Sequence, residues 1–230
     1  DAITVAKDTG FVDGLEAKTA AIAGTMGIGH TRWATVGEPS AINAHPHLDC
    51  TGTIAIVHNG SIDNHYELRQ DLLQRGHTFQ SDTDTEVLAH LLEETSPDGS
   101  VDSVAEALSK VQGSYAIVAL FSKSDTLVVA RQGSSIVIGL GQGENMAGSD
   151  VPAVLDRSKM VIYLEDGDIA ELSVDGVQIW NEQIKVERKT HQITQGAEGL
   201  DKTGYPHFLL KEIHEQPRVL RDTLAGRISD

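Results

Sequence analysis

The chain has 230 residues and a net charge of −16, from 34 acidic and 18 basic residues. This balance argues against a nucleic-acid-binding protein, which needs a basic face, and against binding to an anionic membrane surface. The apolar content of 40% is enough for a packed core, and the longest apolar run, residues 115–121, is far too short to span a bilayer. The single cysteine, Cys50, excludes an internal disulfide framework and fits a reducing cytoplasm, where we expect the protein to be located.

The first half of the chain predicts short strands and four helices. Asn64 followed by Glu67 is typical of a capping box, and Thr83 followed by Glu86 repeats that pattern. We predict strands over residues 1–7 and 53–57, and helices over residues 13–22, 64–76, from residue 83 onward, and over residues 101–111.

After residue 113 the apolar pattern changes from a helical period to short alternating runs. Asp166-Gly167 and Asp175-Gly176 predict hairpin turns, and Pro217 is expected to end or bend the last helix. Strands on both sides of a block of helices, with antiparallel hairpins, predict an α+β fold. We predict strands over residues 114–122, 126–130, 136–140, 144–147, 160–165, 168–174 and 177–181, helices over residues 151–157 and 206–215, and an extended segment over residues 187–203.

Residues 27–60 contain the highest density of side chains that can do chemistry. Asn59-Gly60 follows an apolar strand, and this dipeptide is either a tight turn or a pair of convergent donors that form an oxyanion hole. Arg32 is either a surface charge or a planar fork for a carboxylate. Asp82 and Asp84 lie at a predicted helix start, where an acidic residue either stabilises the helix dipole or binds an ammonium group.

Two further patterns resemble ligand sites but are weak. His45 and His47 form a His-Pro-His sequence, yet no cysteine and histidine cluster at zinc spacing accompanies them, so no metal site is predicted. The glycines of residues 139–143 imitate a phosphate-binding loop. They lie between two short predicted strands instead of before a helix, which favours a hairpin turn.

Four strings, GHTRWATVGEPS, NAHPH, VHNG and SDTDTEV, resemble the glutaminase domain of class II (N-terminal-nucleophile) glutamine amidotransferases. The later string YPHFLLKEIHEQP narrows the resemblance to the glucosamine-6-phosphate synthase family. The resemblance implies a four-layer αββα sandwich of the N-terminal-nucleophile hydrolase type. It also implies that glutamine is hydrolysed to glutamate and ammonia without a cofactor, and that the full-length enzyme uses the ammonia to make glucosamine 6-phosphate from fructose 6-phosphate.

The resemblance also implies roles for individual residues. Asn59 and Gly60 would form the oxyanion hole, Arg32 would bind the α-carboxylate of glutamine, and Asp84 would bind its α-ammonium group, with Asp82 as the nearby alternative. Val36 departs from the family pattern, in which histidine is common at this position. The remaining implied substrate contacts are Trp33 and Thr35, in a loop that folds over glutamine, and His45, near the nucleophile.

The family nucleophile is an N-terminal cysteine, whereas residue 1 of this sequence is Asp and Cys50 has no counterpart as a nucleophile. We therefore expect residues 1–230 to be a single glutaminase domain whose nucleophile segment and C-terminal isomerase domains lie outside the sequence, and which does not hydrolyse glutamine alone. The expected partners are L-glutamine and the isomerase domain of the same polypeptide, with a homo-oligomer in the full-length protein. The alternatives are another class II amidotransferase or a glutamine-binding regulatory module without a nucleophile.

Overall fold

The computed structural model describes residues 2–96, 98–193, 202 and 204–224, with side chains described as far as residue 221. The chain divides into two compact units, Asp1–Gln192 and Ile193–Asp230. Among the described residues, none of the helices combines the length and apolar character needed to cross a bilayer. The assignment of residues 1–230 to a single glutaminase domain stays a prediction.

Within the described residues, the first unit contains five helices and eleven strands, and the second contains one helix. The helices are α1 (Asp13–Thr19), α2 (His65–Gln74), α3 (Thr85–Thr95), α4 (Val101–Ser109), α5 (Pro152–Leu155) and α6 (Phe208–Leu224). The strands are β1 (His47–Leu48), β2 (Ile54–Ile62), β3 (Gly113–Phe121), β4 (Leu127–Gln132), β5 (Val137–Leu140), β6 (Asn145–Gly148), β7 (Met160–Tyr163), β8 (Asp168–Leu172), β9 (Val177–Asn181), β10 (Ile184–Val186) and β11 (Thr190–Gln192).

The strands form two antiparallel sheets. The larger sheet has seven strands in the order β1-β2-β3-β4-β8-β9-β10, and the smaller has four in the order β11-β7-β5-β6. β2 and β3 pair along their whole length, from Ile54 opposite Phe121 to Ile62 opposite Gly113. This long ladder fixes the register of the centre of the larger sheet.

The larger sheet is buried on both faces, which explains why its strands are apolar at consecutive positions. Along β3, Ile117 and Ala119 belong to a core shared with α2, α3 and α4, whereas Ala116 belongs to a second core with the smaller sheet. Because successive side chains of a strand point to opposite faces, one side of the sheet packs against helices and the other packs against the smaller sheet.

The smaller sheet is covered on its outer face by α5. Ile138 points into the core between the sheets, so its neighbour Gly139 faces outward. A Cβ at Gly139 would lie 3.0 Å from Val154 of α5, and a Cβ at Gly148 would lie 2.9 Å from Ala153. The order helices, sheet, sheet, helix confirms the α+β fold class and its αββα layers.

Several predicted elements differ from the structure. Residues 2–7 form no strand, since none of the described strands pairs with them. The turn at Asp166-Gly167 is not a hairpin, because β7 lies in the smaller sheet and β8 in the larger one; the hairpin at Asp175-Gly176 is confirmed. α6 continues through Pro217 to Leu224. The short strands β1 and β10 were not predicted, and most of the extended segment predicted over residues 187–203 lies outside the described residues.

The capping box predicted at Asn64 is wrong in detail. Asn64 precedes α2, but its side chain makes no capping bond to that helix. Instead it accepts a hydrogen bond from Gln112 N–H at 2.9 Å and donates one to the Lys110 carbonyl at 2.9 Å. The side chain therefore joins the start of α2 to the segment between α4 and β3.

Leu88 tests the contact between α3 and the larger sheet. Its side chain is 1% exposed within the helix-side core, so Leu88→Ala should lower the free energy of unfolding by about 2–5 kcal/mol, measured by urea denaturation. Leu73 on α2 is 42% exposed, and Leu73→Ala should cost about 1 kcal/mol or less. Equal losses for the two variants would contradict the packing described.

Candidate active site

Strand β2 runs straight through Asn59-Gly60, so the tight-turn interpretation of this dipeptide is wrong. Asn59 lies opposite Ala116 and Gly60 lies opposite Tyr115 in the ladder with β3. Gly60 has a φ of +132°, and a Cβ there would collide with the carbonyl oxygen of Ser114. The position therefore requires glycine because the neighbouring strand approaches too closely for any side chain.

The backbone N–H of Gly60 points away from β3. On either side of it, the His58 N–H donates to His45 Nδ1 at 3.2 Å and the Ile62 N–H donates to Asp84 Oδ2 at 2.9 Å. N–H groups two residues apart in a strand point to the same side, so the Gly60 N–H is directed between these two acceptors. A backbone donor is thus presented on the side of β2 opposite to β3.

Asn59 offers its amide donors beside this N–H. Its Oδ1 lies 2.8 Å from His30 Nε2, and it accepts the proton of that nitrogen. His30 Nδ1 is buried and has no hydrogen-bond partner among the described residues, which fits an imidazole protonated at Nε2. Because the oxygen of Asn59 is engaged, the amide NH₂ is the group left to donate to another molecule.

A chain of hydrogen bonds behind Asn59 fixes the tautomers of two buried histidines. His45 Nδ1 accepts from the His58 N–H, so the proton of neutral His45 is on Nε2, which lies 3.4 Å from Thr85 Oγ1. Thr85 Oγ1 lies 2.9 Å from His58 Nδ1, and His58 Nε2 lies 3.5 Å from the Ser114 carbonyl. If His45 and His58 are both neutral, every donor in this chain has an acceptor to donate to.

Burial keeps these histidines neutral. It lowers the pKa of His45 to about 2, with further lowering from His30, His47 and His58, and it lowers the pKa of His47 to about 3. The pKa of His58 is lowered by burial against an opposing effect of Asp84. His30 also stacks on His45, with ring centroids 4.3 Å apart.

The Arg32 side chain is hydrogen-bonded to backbone carbonyls of its own loop in this structure. Its guanidinium donates to the carbonyls of Val36 at 2.6 Å, Gly37 at 2.8 Å and Glu38 at 3.2 Å. Three of its five N–H groups are therefore used within the loop.

Arg32, His30 and His45 line a cavity of about 240 Å³ next to Asn59. Lys7 also lines it and donates to the Ile42 carbonyl at 3.0 Å. The pKa of Lys7 is lowered, first by burial and also by Arg32, with Glu86 opposing. The other lining residues are Ala6, Asp8, Thr9, Gly10, Phe11, Val12, Leu15, Thr31, Ala34, Pro39, Ser40 and Ala44.

The structure brings together only part of the predicted site. Asn59, Gly60, His45 and Arg32 lie around one end of β2 and the adjoining cavity, and Asp84 is buried at the start of α3 with its Oδ2 on the Ile62 N–H. In contrast, Trp33 is 89% exposed and Thr35 is exposed too. The side chain of Asp82 is exposed, whereas that of Asp84 is buried.

Sequence reasoning assigned no role to four residues around this site: His30, Lys7, His58 and Thr85. His30 and His58 stand beside the recognised residues in GHTR and VHNG, and that adjacency could have assigned them a role. Lys7 and Thr85 carry no such pattern, since their positions depend on how distant segments pack.

The family of proteins described as "Glutamine amidotransferase domain" matches residues 30–155, which is more than half of the chain and includes Asn59, Gly60 and Asp84. The chain belongs to this glutamine amidotransferase family. Residues 30–155 run from the Arg32 loop through β2 and α3 to α5, and so contain the site described above, except for Lys7 and the other cavity residues before residue 30.

Relatives of this amidotransferase domain are longer proteins. It is 49% identical over 90% of its length to glutamine–fructose-6-phosphate aminotransferase (isomerizing) of Thermus thermophilus, and 46% identical over 98% to that of Thermococcus kodakarensis. It spans 34% and 39% of those two proteins.

Solved structures share the fold of this domain. The glutamine phosphoribosylpyrophosphate amidotransferase of B. subtilis matches 73% of this chain and 34% of its own, with a TM-score of 0.53 at 24% identity. A structure titled as the allosteric regulatory enzyme of purine biosynthesis matches the same share with a TM-score of 0.52 at 26% identity. These similarities support the four-layer fold of the N-terminal-nucleophile type.

The lowered pKa of His47 predicts a loss of stability in mild acid. Below pH 6.5 the unfolded chain binds a proton at His47 that the folded chain, with a pKa of about 3, does not bind. Between pH 7.5 and 5.5 this difference should remove about 1.4 kcal/mol of folding free energy. The unfolding free energy of His47→Gln should therefore fall by about 1.4 kcal/mol less than that of the wild type between the two pH values. Urea denaturation at both pH values measures this difference.

Gln74→Ala, which changes an exposed amide on α2 that does not titrate, is the control and should keep the pH dependence of the wild type. A fall of the same size in His47→Gln and the wild type would show that His47 is not held neutral by burial.

Proposed function

We propose that this domain hydrolyses the side-chain amide of glutamine to glutamate and ammonia. One observation carries the proposal: the Asn59 amide, held through its oxygen by His30, lies next to a Gly60 N–H that points away from the ladder with β3. Two adjacent donors of this kind stabilise the negative oxygen that develops when an amide carbonyl is attacked.

The charged groups around the cavity support binding of an amino acid. Arg32 and Lys7 are cations that suit an α-carboxylate, in a chain whose net charge is −16. Asp84 holds the end of β2 through Oδ2, and we assign its Oδ1 to the α-ammonium group. Asp82 is less suitable because its exposed carboxylate is more strongly hydrated.

Substrate binding through Arg32 requires its loop to rearrange. Neither edge of the guanidinium is free for a bidentate carboxylate while Arg32 donates to Val36, Gly37 and Glu38. We propose that glutamine replaces part of these contacts and that the loop then brings Trp33 and Thr35 over the substrate.

The nucleophile of the proposed reaction is a cysteine at the processed N-terminus of the encoded protein, as the family resemblance implies. Its thiolate attacks the amide carbon, ammonia leaves when the tetrahedral intermediate collapses, and water then cleaves the γ-glutamyl thioester to glutamate. Cys50 does not fit this role, because it precedes the Ile54 end of β2 and Asn59 lies about 17 Å further along the strand.

For the whole protein, we propose the activity named in its relatives. The ammonia would then be transferred to fructose 6-phosphate, bound by an isomerase domain of the same polypeptide, to give glucosamine 6-phosphate. The similarity to two aminotransferases of that name, at 46–49% identity, supports this proposal. A cytoplasmic location and a homo-oligomer are part of the same proposal.

The complete encoded protein should release glutamate from glutamine, measured by a coupled glutamate dehydrogenase assay. Asn59→Ala removes one oxyanion donor and should lower kcat by about 10²–10³-fold with little change in KM. Gln74→Ala changes an exposed amide on α2 and should leave both constants unaltered. Absence of glutamate release from the complete protein, or full activity of Asn59→Ala, would refute the proposal.

Arg32→Lys tests the carboxylate contact. A lysine ammonium is a point charge and lacks the planar fork, so the variant should bind glutamine at least about tenfold more weakly by calorimetry. Arg75→Lys, on an exposed residue after α2, is the matched control and should bind glutamine like the wild type. Unchanged affinity in Arg32→Lys would remove Arg32 from the substrate site.

A further inference from the structure

A second cluster of chemically active side chains lies at the other end of β2. Cys50 is in the turn between β1 and β2, His77 follows α2, and His90 and Glu93 are three residues apart on one face of α3. Each residue contributes one ligand atom, and these four atoms all lie within 4.8 Å of one another. The fold thus assembles one thiol, two imidazoles and one carboxylate from three separate segments.

Four of the six distances between these ligand atoms are close to the edges of a metal-coordination tetrahedron. Cys50 Sγ lies 3.4 Å from His77 Nδ1 and 3.5 Å from His90 Nδ1. Glu93 Oε2 lies 3.0 Å from His77 Nδ1 and 3.1 Å from His90 Nδ1. In a tetrahedral zinc site, sulfur and nitrogen ligands are about 3.6 Å apart and nitrogen and oxygen ligands about 3.4 Å apart.

The outer nitrogens of both histidines face fixed carboxylates. His77 Nε2 lies 3.2 Å from Glu94 Oε1, and Glu94 also accepts from Arg75 at 2.9 Å. His90 Nε2 lies 3.7 Å from Glu86 Oε1 and has no hydrogen-bond partner among the described residues. A histidine that binds a metal through one nitrogen typically donates its other N–H to a carboxylate, as this arrangement allows.

The surroundings also suit a thiolate. The Thr78 N–H donates to Cys50 Sγ at 3.5 Å, and the Cys50 N–H donates to Glu93 Oε2 at 3.1 Å. A divalent ion with one thiolate, one carboxylate and two neutral imidazoles has no net charge. Such an ion could therefore be held beside His90, whose side chain is 1% exposed, without an uncompensated charge.

We propose that Cys50, His77, His90 and Glu93 bind one Zn²⁺ ion. Zinc is favoured because mixed sulfur, nitrogen and oxygen ligands in a tetrahedron suit its coordination preferences. Four protein ligands complete the coordination shell, which makes the site structural instead of catalytic. The ion would join the β1–β2 turn to α3, at the end of β2 opposite to Asn59. The proposed zinc site does not depend on the proposed glutaminase activity.

The test is a metal titration of the full encoded chain after purification in a chelator and removal of the chelator. Co²⁺ should bind one equivalent per chain and give tetrahedral visible bands with a thiolate-to-cobalt charge-transfer band, and Zn²⁺ should displace it. The charge-transfer band should be absent in Cys50→Ser, and His77→Gln should lose stoichiometric binding. Glu94→Gln, which removes only an outer carboxylate, should weaken binding by about 10–100-fold.

Matched controls separate the site from adventitious binding. His191→Gln changes an exposed histidine on β11 and should bind Co²⁺ and Zn²⁺ like the wild type. Cys50 is exposed, so circular dichroism of Cys50→Ser should match the wild type and exclude misfolding as the cause of lost binding. Stoichiometric Zn²⁺ should also protect Cys50 from alkylation and raise the Tm of the wild type but not of Cys50→Ser.

Two results would overturn the proposal. The first is a wild-type chain that binds less than one equivalent of Zn²⁺ and shows no charge-transfer band with Co²⁺. The second is that Cys50→Ser and His77→Gln both bind Zn²⁺ with the affinity of the wild type. Either result would mean that the four side chains form only a hydrogen-bonded cluster.

Discussion

The packing of helix α3 along strand β2 is the contact on which both chemical centres of this domain depend. The apolar side of α3, including Leu88 and Leu92, is buried in the same core as Ile54 and Ile56 of β2. This contact places the start of the helix beside one end of the strand and the last turns beside the other. The positions of the polar side chains of α3 follow from that alignment.

At one end of β2, α3 supplies the groups that organise the candidate active site. Asp84 binds the Ile62 N–H, and Thr85 links His58 to His45. These bonds engage the Ile62 N–H and the side chains of His58 and His45. This arrangement leaves the donors of Asn59 and Gly60 available for the proposed oxyanion hole, in a place where burial lowers the pKa of the neighbouring His45 and His58.

At the other end of β2, the next turns of the same helix supply His90 and Glu93. Glu86, between the two ends, accepts hydrogen bonds from Gln80 N–H and Ser81 N–H at 2.7 Å each. It also faces His90 Nε2 at 3.7 Å. One carboxylate therefore supports the loop before α3 and also faces His90. Burial raises the pKa of Glu86, but His90 and the hydrogen bonds from Gln80 and Ser81 outweigh burial and lower it to about 2.

The sequence by itself determined the fold class and most helices and strands, because local patterning carries that information. Its contiguous strings also led to the predicted site roles of Asn59, Gly60, Arg32 and Asp84, which stay predictions. It did not determine that Asn59-Gly60 continues a strand, since Asn-Gly is typical of turns and only the ladder with β3 excludes one. Nor could it separate β7 from β8, because a turn motif does not say which sheet each strand joins. The meeting of Cys50, His77, His90 and Glu93 was decided by tertiary structure alone. Their spacing along the chain matches no metal-binding pattern, and only the packing of α3 against β2 and the turn after α2 brings them within reach of one ion.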